Sequence, residues 1–444
     1  MESMRGQLLF PAQAGHRAVH LAAAGVLCVL FWVAVGLAGE QAVSRGPGVL
    51  QVTDFLPAGY VVDGSVSYQA AIQKALDVAA QTRRALVFPP MVYRLDDPTG
   101  LRVPSGSTLL MHGAVFRLSE RIRQDGQAFC AQDVTDVTFL GGEVAGQRHR
   151  WPDSVNVAGI RIKGRSARIR VRDMYLHDLS SNGIGLFGPG EHEMIEDVWV
   201  ENVLIRNCCN KYIDYLEPGM GPVKGSVRED QGGVAFYFVR NFVVRGCSLE
   251  DSRSDGTHFY RCHEGRFVDN KVSGSQMGGY FIETCQYVLA ANNLIRANGS
   301  RGVTIERGSR YCNLVNNVIE GSGREGLWAP ESIGLVVTGN IFRHNGRKDH
   351  GQLDGEIMIN KSRHDPSNTP RAENYRVADN LFITTASQDA VIRVLPKAAD
   401  IVIENNTFRG DCRKVFVDRQ SPDVRSVVVR ANDGAELVER AAPR

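Results

Sequence analysis

The sequence is poor in several features that would mark common functional classes. Its formal net charge is only +2 over 444 residues, so no global field argues for nucleic acid or for a polyanion. Nine cysteines occur, but no Cys-x-x-Cys pair and no metal-type spacing. Buried thiols are the simplest reading of most of them, although an exported chain could form a disulfide. Apart from one segment near residue 70, helix-period patterns of useful length are missing. Glycine, in contrast, is abundant at 46 residues, which favours many tight turns.

One long apolar run is present, LAAAGVLCVLFWVAVGLA, from Leu21 to Ala38, and it contains Cys28. Arg5, His16, Arg17 and His20 precede it, and the small residues Gly36 and Ala38 close it. A charged, then apolar, then small-residue order is that of a secretory signal. The run is also long enough to span a bilayer if it is not cleaved. The chain is therefore expected to be exported, periplasmic or extracellular. Any membrane attachment would be through this N-terminal segment alone.

From about residue 133 onward a unit recurs. FVDNKVSGSQMGGYFIETC, VLAANNLIRANGSRGVTIERG and NLVNNVIEGSGREGLWAPES are consecutive copies. Asn270, Asn293, Asn317 and Asn340 mark it at spacings of 23, 24 and 23, and Asn380 and Asn406 continue it at 40 and 26. Upstream, Asn202 and Gly246 read as the same position. Each unit shows two short period-two strands separated by Gly, Ser and Asn turns. Periods of this length mean stacked architectures. Short strands fit a parallel β-helix better than a propeller, whose blades need about 40 residues. The asparagines are explained structurally, as inward amides that bond the backbone and stack coil on coil.

A β-helix has open ends that must be covered. In SYQAAIQKALDVAAQTRR the apolar residues Ile72, Ala75, Leu76 and Ala79 recur at helical spacing, which predicts an amphipathic cap. The expected organisation is a leader or anchor over 1–40, a linker and first β segment over 41–66, a capping helix over 67–84, a β-helix over 85–432 and a tail over 433–444.

The opening of this region resembles that of pectate-lyase-like β-helix proteins, the pectin-lyase superfamily. Asp54-Phe55, Asp63-Gly64, Ala70-Ala71-Ile72-Gln73 and Phe88-Pro89-Pro90 match the family's pattern in order. Ser67, Tyr68 and Met91 depart from it, and the resemblance runs from about residue 51 to about 410. It implies an all-β chain forming a right-handed single-stranded parallel β-helix with an N-terminal capping α-helix. It does not imply one activity, because the superfamily includes lyases, hydrolases, epimerases and phage tailspikes.

Aligning the coils on Gly183, Gly233, Gly256, Gly279, Gly302, Gly326 and Gly355 separates two faces. Residues one and three later, such as Thr257 and Phe259, are mostly apolar and should face the core. Residues two and four later should face solvent. They include Tyr237, His258, Tyr260, Phe281, Glu283, Glu306 and Trp328. Tyr237, Tyr260, Phe281 and Trp328 would form a row of flat rings suited to an extended glycan. The alternative is a second small core beneath loops, and the insertions at Pro218–Gly232 and His344–Asp354 could supply such loops.

Glu283 and Glu306 fall in one column on neighbouring coils, with backbones expected about 5 Å apart. Like charges so close disfavour ionising both. The pair could serve as acid and base, or as ligands of Ca2+, or could be neutralised by Arg261 and Arg307. No cofactor pattern is otherwise present. Asp255, before Gly256, would bond the backbone or take part in chemistry. The Asp-Asp-Cys and Gly-His-Gly signatures of the superfamily's hydrolases are absent. Asp255-Gly-Thr-His258 loosely resembles the Asp-Pro-His motif of its epimerases.

The candidate catalytic residues are thus His258, Tyr260, Glu283, Glu306 and Asp255. Tyr237, Arg261, Phe281, Arg307 and Trp328 are candidates for substrate binding. Arg347, Lys348, His350, Lys361, Arg363, His364 and Arg371 in the insertions would make a basic lip. The expected partner is an anionic, uronate-containing polysaccharide, acted on by a lyase or epimerase. A hydrolase on the same groove and a non-catalytic polysaccharide-binding scaffold remain open. Nothing here sets an oligomeric state.

Overall fold

The computed structural model describes residues 48–209, 231–347, 355–359, 372–385, 388–412, 415–419 and 425–434. The N-terminal apolar run, Lys348, His350, Lys361, Arg363, His364, Arg371 and most of both insertions lie outside them. Among the described residues no helix is long and apolar enough to cross a membrane.

Among the described residues the strands form three parallel sheets of 14, 12 and 12 strands. Each complete coil contributes one strand to each sheet, three strands rather than the expected two. In one coil Thr257–Tyr260 lies in the second sheet, His263–Val268 in the first and Lys271–Ser273 in the third. The chain then returns to the second sheet as Tyr280–Glu283. Three-residue strands such as Lys271–Ser273 are too short to show a period in sequence, which is why one was missed. Each coil is paired through its backbone to the next, and a coil alone could not satisfy those groups.

The Asn-Asn doublets of the repeat have two distinct jobs. The first position is left-handed: Asn292 has φ 57° and Asn316 has φ 54°, a conformation that Asn tolerates better than most residues. The second points inward and forms a ladder. Asn293 Nδ2 donates to Asn317 Oδ1 at 2.8 Å and to Phe267 O at 2.9 Å. The ladder runs through Asn270, Asn293, Asn317, Asn340, Asn380, Asn406 and Asn432. Asn202 and Gly246 do not belong to it. Both are left-handed, and the ladder continues upstream at Cys247, whose N–H donates to Asn270 Oδ1. The sequence alignment was one residue out there, because no amide stands at 247 to mark the register.

Stacked rings fill the interior beside the ladder. Phe236 lies over Phe259 at 5.1 Å and Phe267 over Tyr280 at 4.8 Å. Such pairs contribute about 0.5–1.5 kcal/mol each beyond their burial. The eight described cysteines are all free thiols, and Cys262 N–H donates to Cys285 Sγ at 3.4 Å.

Helix α1, Gln69–Gln81, is slightly shorter than the segment expected for it, and Ile72, Ala75, Leu76 and Ala79 are its buried residues. It lies against the first coil's strands Ala85–Val87, Val92–Leu95 and Leu101–Arg102. Gln73 treats the edge strand as another strand would. Its Oε1 accepts from Arg102 N–H at 2.8 Å and its Nε2 donates to Arg102 O at 2.9 Å.

Candidate functional site

The second sheet places the candidates in two outward columns. One runs Arg102, Cys130, Arg161, Gly185, Ala235 and His258, and farther along carries Thr304 and Trp328. Phe281 is the partner of Thr304 in it. The other column runs Lys163, Phe187, Tyr237, Tyr260, Glu283 and Glu306. Both long insertions follow a strand of the third sheet, Leu204–Arg206 or Ile341–Arg343, and lead into a strand of the second, Val234–Tyr237 or Ile357–Ile359.

The face is not open as expected. His258 is 0 % exposed and Glu283 1 %, and Tyr237, Asp255, Glu306 and Trp328 are also buried. Tyr260 and Phe281 are half-buried. The side chains of Arg261 and Arg307 remain 39 % exposed. The rings do not form a flat row either. Tyr237 meets Tyr260 edge-on at 76°, and Phe187, Ala235 and Tyr237 form a second small core with Phe238 and Tyr260 against it. Bulky side chains on adjacent strands interlock to exclude water, so an alternating pattern did not mean a solvated face here.

His258 is held by rings on both sides, Tyr237 at 5.2 Å and Phe281 at 4.8 Å. Its Nδ1 lies 3.3 Å from Tyr237 Oη. Gly232, at φ +84°, packs directly on its backbone, where an added Cβ would come within 2.7 Å of His258 N. Two residues along the same strand, Tyr260 Oη accepts from Arg261 Nε at 2.9 Å. Arg261 Nη1 is 2.6 Å from Glu191 Oε1. Arg261 therefore pairs with Glu191 and not with the glutamate pair. Glu191 went unnoticed in the sequence because it stands in a loop, Gly188–Met194, outside the repeat.

Glu283 and Glu306 are in register as expected. Arg307 bridges them, with Nη1 3.2 Å from Glu283 Oε2 and Nε 3.3 Å from Glu306 Oε1. Asp255 takes the backbone role: its Oδ1 accepts from Gly278 N–H on the next coil at 2.7 Å. Trp328 lies under the Arg301 guanidinium at 3.8 Å, and Arg301 pairs with buried Glu325 at 3.1 Å. Arg301 and Glu325 each stand one residue before an aligned glycine, as Asp255 does. That shared offset was the available signal for them. Among the described residues no three His, Cys, Asp or Glu side chains converge as a metal ligand set. Ca2+ needs six to eight oxygens, and the two glutamates are already engaged by Arg307.

A family model described as "right handed beta helix region" matches residues 153–342 and 232–408. No curated protein matches the chain in sequence. Several solved structures match in shape. The mannuronan C-5 epimerase AlgE4 A-module of Azotobacter vinelandii is 14% identical with a TM-score of 0.62, over 88% of this chain and 100% of that one. The Dettilon tailspike protein is 14% identical with a TM-score of 0.58, over 86% and 68%. A hyperthermoactive exopolygalacturonase from Thermotoga maritima is 13% identical with a TM-score of 0.51, over 88% and 92%. At these identities the likeness is one of fold.

Proposed function

The chain belongs to the right handed beta helix family, and from that premise we propose that it is an exported carbohydrate-active protein. In this reading it holds an acidic, uronate-containing polysaccharide against the second sheet and acts on it as a lyase or C5 epimerase. The observation that carries the reading is the grouping of Tyr260, Arg261 and Arg307, a phenol and two guanidinium groups on nearby coils, all partly accessible. The epimerase and exopolygalacturonase among its structural neighbours support a polysaccharide as partner.

Removing the proton beside a uronate carboxylate needs a base at that carbon and positive charge on the carboxylate as negative charge develops. Arg261 and Arg307 would supply the charge. Tyr260 would exchange the proton with the sugar. His258, enclosed behind it and 3.3 Å from Tyr237 Oη, would relay protons through that second phenol. Expulsion of the neighbouring glycosidic oxygen then gives elimination, and return of a proton to the opposite face gives epimerisation. Hydrolysis needs one carboxyl as acid and one as base or nucleophile. Glu283 and Glu306 are both engaged by one guanidinium, which leaves neither placed as a lone acid or nucleophile and speaks against that route.

Incubation with polyuronates in deuterated water tests the proposal. Near-ultraviolet absorbance reports elimination and deuterium at C5 reports epimerisation, and Tyr260→Phe should abolish either. New reducing ends without unsaturation would replace the lyase reading with a hydrolase. A second reading, a binding scaffold, is favoured by the full burial of His258. Uronate binding without any reaction, undiminished in His258→Ala and Glu283→Gln, would establish it.

A further inference from the structure

A cavity of about 760 Å³ lies at the N-terminal end of the second sheet. Its described lining joins the sheet to helix α1. Three cations, Arg102, Arg161 and Lys163, face one acid, Asp77. Asp77 accepts from Gln73 Nε2 at 3.1 Å and pairs with Arg102 at 3.4 Å, and that arginine is 71 % exposed. Arg161 and Lys163 both stand over the Phe187 ring, each at 5.8 Å, and Arg161 Nη2 donates to Ser181 Oγ at 3.0 Å. The Cys130 thiol lines the same cavity, half-buried, with its pKa raised by burial.

We propose that this cavity is an anion subsite that takes the carboxylate of an acidic saccharide. A chain with almost no net charge has here gathered an excess of positive groups around one cavity. Guanidinium groups bind carboxylates through paired, charge-assisted hydrogen bonds.

The cavity is in line with the candidate site. Arg161 and His258 occupy one column, with Gly185 and Ala235 between them. Three strand spacings separate them, or about 14 Å, within the reach of one oligosaccharide lying along the sheet. The inference rests on the proposed acidic-polysaccharide reading for its ligand class. It adds a separate place where that ligand is held, remote from Tyr260.

Site-resolved alkylation of Cys130 tests it, with the half-buried Cys412 as internal reference. The probes are oligogalacturonate and oligomannuronate, with a cello-oligosaccharide as neutral control. Both uronates should slow alkylation of Cys130 several-fold and leave Cys412 unchanged. Arg161→Gln and Lys163→Gln should each weaken uronate binding about tenfold, as loss of one hydrogen bond to a charged group does, and remove the protection. Tyr260→Phe should keep it. Lys163 is exposed, so its variant folds even where the Arg161 variant does not. Uronate binding that neither protects Cys130 nor responds to these substitutions overturns the subsite and leaves the proposed function standing. Equal protection by the neutral sugar overturns its anion character. No binding of any saccharide overturns both proposals.

Discussion

Glu283 and Glu306 are in-register partners on adjacent strands, and a single guanidinium, that of Arg307, contacts both carboxylates at 3.2 and 3.3 Å. Two buried acids on neighbouring coils are tolerable because the residue after the second strand turns back over them. Arg307 has φ 54°, and that left-handed turn aims its side chain along the column rather than away from it.

Removing Arg307 should leave two buried carboxylates without that cation. Arg307→Met is expected to destabilise the fold by about 2 kcal/mol, below the ~3–5 kcal/mol of a fully buried pair because the guanidinium is partly solvated. Adding Glu283→Gln and Glu306→Gln should recover most of the loss. Chemical denaturation of the single and triple variants measures both, and a triple variant no more stable than the single one would refute the bridge.

The asparagine ladder makes a positional prediction. Asn293→Ala withdraws the acceptor used by Asn270 N–H and its side-chain amide, and the donor to Phe267 O, all buried. A cost of about 3 kcal/mol follows from unsatisfied buried groups. Asn432, half-buried in the last described coil, should cost about 1 kcal/mol when changed to Ala, because water can replace its bonds. Equal losses at the two positions would count against the ladder as the source of stability.

Most of the aligned glycines, Gly183, Gly256, Gly279, Gly302 and Gly326, are required for space. At Gly256 an added Cβ would meet Val272 Cγ1 at 2.3 Å and Gly279 O at 2.5 Å. Gly256→Ala should cost about 3 kcal/mol or prevent folding, since backbone on the next coil cannot retreat. Gly308 has φ +81° and nothing within 4 Å of an added Cβ, so its alanine variant should lose only about 1–2 kcal/mol of backbone strain. Melting temperatures of the two variants separate the cases.

Glu356 gives a pH dependence. It is fully buried, and it accepts from Asn345 N–H at 3.1 Å, the Asn345 amide at 2.6 Å and the Gln388 amide at 2.9 Å. Burial pushes its carboxyl up to about 7, against 4.5 for an ordinary glutamate. The folded state therefore binds this proton more tightly than the unfolded chain does. The associated stability is complete below about pH 4.5 and is lost as pH rises to about 7, amounting to roughly 3 kcal/mol. Glu356→Gln should remove that slope and stabilise the protein at pH 8. Denaturation midpoints at pH 5 and pH 8 decide it, and parallel slopes for the two proteins would sink the assignment.

The repeat, the inward set Thr257 and Phe259, the asparagine ladder from 270 to 406 and the buried face of helix α1 were legible in the chain itself. They depend on spacing, and stacking forces a buried position on one coil to sit above a buried position on the next. The in-register placement of Glu283 and Glu306 followed for the same reason. Arg261 turning to Glu191, Arg307 closing on both glutamates, the edge-on rings and the enclosure of His258 did not follow from spacing. They depend on which way a side chain leaves a turn and on what packs over the second sheet. Those are contacts between residues whose separation along the chain carries no period, and only the folded structure brings them together.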